Sequence, residues 1–489
     1  MGILSNLEPK EVFYYFEQIC AIPHGSSDTK RISDYLVDFA KEHHLRYIQD
    51  EWNNVILFKD ASTGYEDSPP VMLQGHIDMV CEKDADCDID FHTDGLSLEV
   101  NDGIIRAKGT TLGGDDGIAV AFMLAILSSD TIPHPPLEAV FTVDEEIGML
   151  GAAALDCSPL KSRIMLNLDS EDEGHLLVSC AGGVTATAQL PIHFQKAEGI
   201  PVLLSVRGLI GGHSGVEIDK GRANACTLLG RILYDLKKNG MVFSLISING
   251  GLKDNAIPRE ASAVLLADRT CSISEMEKRI SHIQNVISHE YRQTDPAIRI
   301  SLETSQGKDS HEMTSAMDSH SSQAVITALN ILPNGIQKMS HEIEGLVQTS
   351  LNLGIMSTGK QEVTFSYAVR SNVQTEKEAL TDKICCLMEH LNGTVTFTGD
   401  YPAWEYKKES PLRDRMVSIF ERQYGRKPII EALHAGVECG LFAGKIEGLD
   451  CISYGPDMKD IHTPNESMDV KSVQRTWEYT LEILRELKG

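Results

Sequence analysis

Four apolar runs of strand length each lead into residues that bind cations. Val71–Gly75 leads into His76-Ile-Asp78, Leu137–Val143 into Asp144-Glu145-Glu146, Ile164–Leu168 into Asp169, and Cys451–Tyr454 into Gly455-Pro456 and then His462. Runs without polar alternation are strands covered on both faces, as in a parallel or mixed sheet between helices. In such sheets ligands gather beyond the carboxyl ends of the strands. Two imidazoles, His76 and His462, and three carboxylates, Asp115, Glu146 and Asp169, suit two divalent metals that share one carboxylate. Such a pair activates water against an amide or ester, so the expected class is a hydrolase.

Each motif carries a duller reading beside the chemical one. Residues i and i+2 of a strand point the same way, so His76 can bind metal while Asp78 orients its ring; alone, H-x-D is ordinary surface polarity. In Gly109-Thr-Thr-Leu-Gly-Gly-Asp115-Asp116-Gly117, Asp115 is either a helix N-cap or a carboxylate that bridges two cations, with Asp116 as capping or structural partner. The adjacent acids Glu145 and Glu146 repel unless a cation compensates, which suggests Glu146 on metal and Glu145 on the water as general base; the alternative is a solvated acidic turn. Among the acids of Asp169–Glu173, Asp169 is closest to its strand and is the expected ligand, the later ones solvated. A lone His462 would read as structural; the other four residues reverse that. His213, in Gly211-Gly-His213-Ser-Gly215, is a plain turn or an imidazole able to reach a substrate oxyanion. His434 reads first as structural, otherwise as lining the pocket from the catalytic domain.

Composition narrows the class. The 489 residues carry 44 Lys plus Arg against 71 Asp plus Glu, a net charge of −27. With no basic patch, nucleic acid is not an expected partner. No apolar run approaches the length of a spanning helix and no signal peptide is visible, so a membrane is not expected either. Eleven cysteines without CxxC pairs suit a reducing cytoplasm.

The helix–strand alternation is interrupted. After Cys180-Ala-Gly-Gly183 the strands Pro201–Arg207 and Ala261–Arg269 alternate openly, as in an α+β domain, and from Tyr401 the first texture returns. The expected architecture is α/β: a catalytic domain of residues 1–185 and 401–489 with a central mixed, mostly parallel sheet, and an inserted lid or dimerisation domain of residues 186–400. The lid contains a possible duplication, because Arg269, Glu275, Glu277 and Ile283 recur as Arg370, Glu376, Glu378 and Ile384 at an offset of 101 residues.

The ordered set GHIDMV, GTTLGGDDG, DEEIGMLGA, NLDSEDEG, CAGG, GGHSGVEI, NAIPREA, HAGVECGLF and IHTPNE resembles the aminoacyl-histidine (Xaa-His) dipeptidase family of co-catalytic zinc metallopeptidases, from about residue 5 to the C-terminus. The resemblance implies a zinc-exopeptidase-like fold and two Zn2+ per chain, with Mn2+ or Co2+ able to substitute. One zinc would be held by His76, Asp115 and Asp169, the other by Asp115, Glu146 and His462. Asp78 would orient His76, Glu145 would be the general acid and base, and His213 would help polarise the substrate carbonyl. Asn255 and Arg370 would hold the substrate carboxylate, and Asp115–Asp116 would be a cis peptide. It further implies a cytoplasmic homodimer acting on dipeptides, with His213 supplied by a partner or, if the lid is duplicated, within one chain. The competing activities are those of an N-acyl-amino-acid deacylase or an aminotripeptidase of the same superfamily. Relatives often read Gly-Ala-Asp-Asn-Gly where this chain has Gly113-Gly-Asp-Asp-Gly117, so Asp116 adds a negative charge.

Overall fold

A computed structural model describes residues 2–304 and 313–488. The chain forms two compact units: Met1–Cys180 with Tyr406–Ala432 and Val437–Gly489, and Ala181–Glu405 with Leu433–Gly436.

The first unit opens with helices α1 (Lys10–Cys20) and α2 (Lys30–Glu42), which bury Val12, Phe13, Phe16 and Ile19 and then Ile32, Leu36 and Phe39. Strands β1 (Arg46–Gln49), β2 (Val55–Lys59) and β3 (Val71–His76) follow. Helix α3 (Gly114–Ser128) is buried from Gly114 to Leu127, as a helix apolar on every side must be. Next come β4 (Leu137–Thr142), β5 (Ile164–Asn167) and β6 (His175–Cys180).

The second unit is antiparallel in every pairing of its large sheet. Its elements in chain order are β7 (Gly182–Pro191), β8 (Ile200–Arg207), α4 (Ala225–Lys238), β9 (Phe243–Gly250), β10 (Ala261–Ala267), α5 (Ile273–Glu290), β11 (Arg299–Thr304), α6 (Ser319–Ile331), β12 (Val347–Thr358), β13 (Glu362–Ser371), α7 (Gln374–His390) and β14 (Thr394–Tyr401). The sheet order is β11-β8-β10-β9-β12-β13-β7-β14, with Gly335–Met339 beside β12. That order is symmetric about the β9–β12 pair, which meet at Gly250 and Met356. The run β8-α4-β9-β10-α5-β11 repeats as β7-α6-β12-β13-α7-β14, with the first copy threaded between β7 and α6 of the second. The offset of 101 residues is therefore the spacing of two α+β halves, with β10 and α5 answering β13 and α7. Both halves share one apolar core, including Leu204, Leu233, Ile283, Leu351, Phe365 and Ile384.

The chain returns through α8 (Pro411–Tyr424), β15 (Ile429–Leu433), α9 (Glu438–Lys445), β16 (Asp450–Ser453) and α10 (Val470–Glu486). The first unit's sheet runs β1-β2-β4-β3-β5-β16-β6-β15. Its four middle strands, β4-β3-β5-β16, are parallel; β2 runs against them beside β4, β1 pairs antiparallel with β2, and β6 runs antiparallel to β16. The fold class is the mixed α/β one expected, with the antiparallel pairing confined to the flanks.

One buried carboxylate fixes the ends of the segment that carries His213. Asp295, wholly buried, accepts the N–H groups of Ile210 and Ala223, each at 2.8 Å. Asp295→Ala leaves both donors unpaired, an expected loss of about 2–4 kcal/mol. A lower urea midpoint with unchanged slope checks this; an unchanged midpoint contradicts it.

Candidate active site

The residues at the carboxyl ends of β3, β4 and β5 meet because these strands are parallel neighbours in register, His76 opposite Thr142 and Gln74 opposite Asn167. His76 closes β3 and is 1% exposed. Asp115 comes from the non-helical start of α3, and His462 from the connection between the short strands Met458–Lys459 and Ser467–Asp469. His76 Nε2 lies 3.0 Å from Asp115 Oδ1 and 3.8 Å from Asp169 Oδ1. His462 Nε2 lies 3.0 Å from Asp115 Oδ2 and 3.0 Å from Glu146 Oε2. Each Asp115 oxygen thus faces a different imidazole. Both Asp115 oxygens are taken up by imidazoles, and its backbone, with ψ 104°, is not helical. The Asp115–Asp116 peptide is cis.

Asp78 ties three segments together. His76 Nδ1 is 2.9 Å from the Asp78 carbonyl and 3.5 Å from its Oδ1. The Asp78 carboxylate accepts the N–H groups of Glu145 (3.1 Å) and Glu146 (3.4 Å) and the Ser26 hydroxyl (2.9 Å). Ser27 N–H donates to Asp144 at 2.6 Å, so the loop before α2 also holds the acidic turn.

The site concentrates negative charge away from water. Burial raises Glu145 well above the usual carboxylate range, helped by Asp169, Glu438 and Glu146 and opposed by His76. Burial lifts Asp169 to about 7 against the pull of His76. Burial would raise Asp115 too, but His462 and His76 hold it below its ordinary value. His462 is raised to about 10 by Asp115 and Glu146. Burial opposes the charge on His76, yet Asp115 and Asp78 raise it well above its ordinary value.

These donors fit hard-to-borderline divalent cations. Donor atoms of His76, Asp115 and Glu146 lie within 4.8 Å of one another, as do those of His76, Asp116 and Asp169. Glu146 Oε1 and Asp116 Oδ1 are buried without a hydrogen-bond partner, which a cation would supply. Asp116, expected only as a capping or structural partner, thus joins the donor cluster; its Oδ2 accepts His76 N–H at 3.2 Å.

The second unit holds its own polar group. His213 pairs with Ala256 in a short antiparallel bridge, and Ser214 N–H donates to the carbonyl of exposed Asn255 at 2.8 Å. His213 Nδ1 accepts from Gly215 and Val216 N–H, both at 3.2 Å, which leaves Nε2 as the protonated nitrogen of the neutral ring. Burial and the Arg370 charge keep its pKa below the ordinary value. Arg370 donates to the Tyr401 hydroxyl at 2.8 Å, and its buried Nε has no partner. His434 belongs to this unit and not to the first, a correction to its expected placement in the catalytic domain. Ala181 N–H reaches the carbonyls of Leu433 and Ala435, and the His434 ring nitrogens lie 2.7 Å from Ser350 Oγ and 3.2 Å from Asn372 Oδ1. Burial and the Arg370 charge lower its pKa to about 3.

Two further acids escaped the sequence reading. Glu438 is wholly buried; its Oε2 accepts from Gln74 (2.5 Å) and Thr142 (2.6 Å), and burial lifts it to about 7. Its signal was a glutamate inside the otherwise apolar Val437–Phe442. Glu466 accepts the N–H groups of Leu112, Gly113 and Gly114 and so fixes the turn before Asp115.

The chain belongs to peptidase family M20/M25/M40, whose profile matches residues 72–486. It is 34% identical over 492 residues to the cytosol non-specific dipeptidase of Escherichia coli K12, spanning 100% of this chain and 99% of that one. The crystal structure of an aminoacylhistidine dipeptidase from Vibrio alginolyticus superposes with a TM-score of 0.91 at 34% identity, over 99% of this chain and 98% of that one. An aminopeptidase from Bacillus cereus, 15% identical with a TM-score of 0.56 over 99% of this chain and 100% of its own, shares the fold. The chain is thus a peptidase of the metal-dependent kind.

Asp169 and Glu438, each lifted to about 7, hold protons that the unfolded chain gives up near its ordinary value of about 4. A raised carboxyl pKa makes the metal-free protein less stable as pH rises through that window. Cations remove the repulsion and displace protons from His76 and His462, so binding strengthens with pH. Zinc added to chelator-stripped protein should raise Tm more at about pH 8 than at about pH 5.5. An equal rise at both would contradict the assignment.

Proposed function

We propose that the chain is a cytoplasmic dinuclear-zinc dipeptidase acting on Xaa-His and a broader range of dipeptides, with Mn2+ or Co2+ able to replace zinc. The supporting observation is Asp115, whose two oxygens each face an imidazole at 3.0 Å, the disposition of a bridging ligand. His76, Asp115 and Asp169 would hold one cation, and Asp115, Glu146 and His462 the other. Once bound, the cations supply an activated water and polarise the scissile carbonyl.

The chain's own groups do the rest. Glu145, raised by burial, accepts the proton of the attacking water and returns it to the leaving amine. Asp78 orients His76 and, through two backbone N–H groups, holds Glu145 and Glu146 in place. His213 offers Nε2–H to the carbonyl oxygen as charge develops there. Arg370, with Asn255 and His434 in support, receives the substrate carboxylate, a match for the unpartnered Arg370 Nε. The cytosolic relative supports the location. The alternatives, N-acyl-amino-acid deacylase and aminotripeptidase, would use the same cations and base; turnover of free dipeptides against acetyl-amino acids and tripeptides separates the three.

Glu145→Gln should keep its metal and its melting temperature but lose about 10²-fold or more in kcat, because an amide cannot accept the proton. Near-normal turnover with full metal content would remove Glu145 from the mechanism.

A homodimer joined through the lid is part of the same reading. In that dimer a partner's lid brings His213 to the site; the alternative is that the repeated half stands in for the partner within one chain. His213→Ala should lower kcat by about 10²-fold, as loss of an oxyanion donor does, without loss of metal. Mixed with Glu145→Gln after verified subunit exchange, it should regain part of the activity; a mixture that stays inactive would place His213 in cis.

A further inference from the structure

A cleft of about 790 Å3 borders Glu146 and is not used by the steps above. That volume is ordinary for a small-molecule site, roughly 300–1,000 Å3. Its walls come from the loop after His76, from Gly25–Asp28, and from Glu146 and Ile147, all in the first unit. Ile147 is 50% exposed although it directly follows a buried acid, and with Met79, Val80 and Phe91 it gives the cleft an apolar lining. The rim is anionic: Asp88 and Asp90 stand against Lys83, while Asp28 is paired with Arg31 (2.8 Å) and His92 (3.1 Å). On the cleft wall, Glu146 keeps Oε1 buried and without a partner.

Charge sorts the ends of a dipeptide. The second unit offers Arg370 and neutral imidazoles, which suit its carboxylate. The acid-lined cleft repels a carboxylate and attracts a cation, and its low-dielectric walls strengthen that field. Resting on the dipeptidase reading, we propose that this cleft receives the side chain of the substrate's first residue and favours a cationic side chain over an anionic one. The aliphatic stem of lysine or arginine lies against Ile147 and Met79, and its charged end reaches the Asp88 and Asp90 rim.

The test uses the metal-loaded full chain and the dipeptides Lys-Ala, Leu-Ala and Glu-Ala. Wild-type kcat/KM should favour Lys-Ala over Glu-Ala by about tenfold or more, and the ratio should shrink in about 0.5 M salt. Asp88 is exposed, and Asp88→Lys should cut the ratio by about fivefold or more. Asp67, exposed before the amino-terminal end of β3, controls for net charge: Asp67→Lys should leave the ratio unchanged. Equal wild-type rates on Lys-Ala and Glu-Ala, or the same ratio in both variants, overturns the cleft assignment while Leu-Ala is still cleaved. No cleavage of Leu-Ala overturns the dipeptidase reading itself.

Discussion

Asp115, Asp116, Glu145, Glu146 and Asp169 crowd around one buried imidazole at the ends of three parallel strands. Carboxylates so placed cannot all ionise together without a compensating positive charge. Around this constraint the first unit is organised. Helix α3, buried on every side, carries Asp115 at its non-helical start, and Glu466 takes up the N–H groups of Leu112, Gly113 and Gly114 just before it. Asp78 couples His76 to the acidic turn. Beneath them Glu438, Gln74, Thr142 and Asn167 form a hydrogen-bonded layer that ties the ends of the same three strands to α9.

The second unit meets a different demand. Burial and the Arg370 charge lower the pKa of His213 and of His434, which keeps both rings neutral. A neutral imidazole can donate a hydrogen bond to an oxyanion without holding a proton that must first be released. The internal repeat gives this unit one continuous antiparallel sheet and one core, so its loops are carried on a rigid base.

Much of the candidate site was legible because its residues stand where the pattern breaks. A polar residue closing a continuous apolar run has one place to be, the carboxyl edge of a buried strand, and that located His76, Glu146 and Asp169. Asp115 and His462 were legible as residue types, and their approach to 3.0 Å emerged only with the fold. Asn255 and Arg370 were named from family resemblance alone, since neither lies in a telling local pattern.

The sequence by itself determined the polar residues at the strand ends, the α/β class and the 101-residue echo within the second unit, because these are written in local periodicity and in recurrence. Only the tertiary structure decided that Asp115 turns its two oxygens toward two imidazoles, that Asp116 joins the donors, that Glu438 is buried under them, and that His434 sits with the second unit. Those outcomes depend on contacts between residues as far apart as Asp115 and His462, or Gln74 and Glu438. Side-chain direction and burial at such separations are set by packing, which no local pattern encodes.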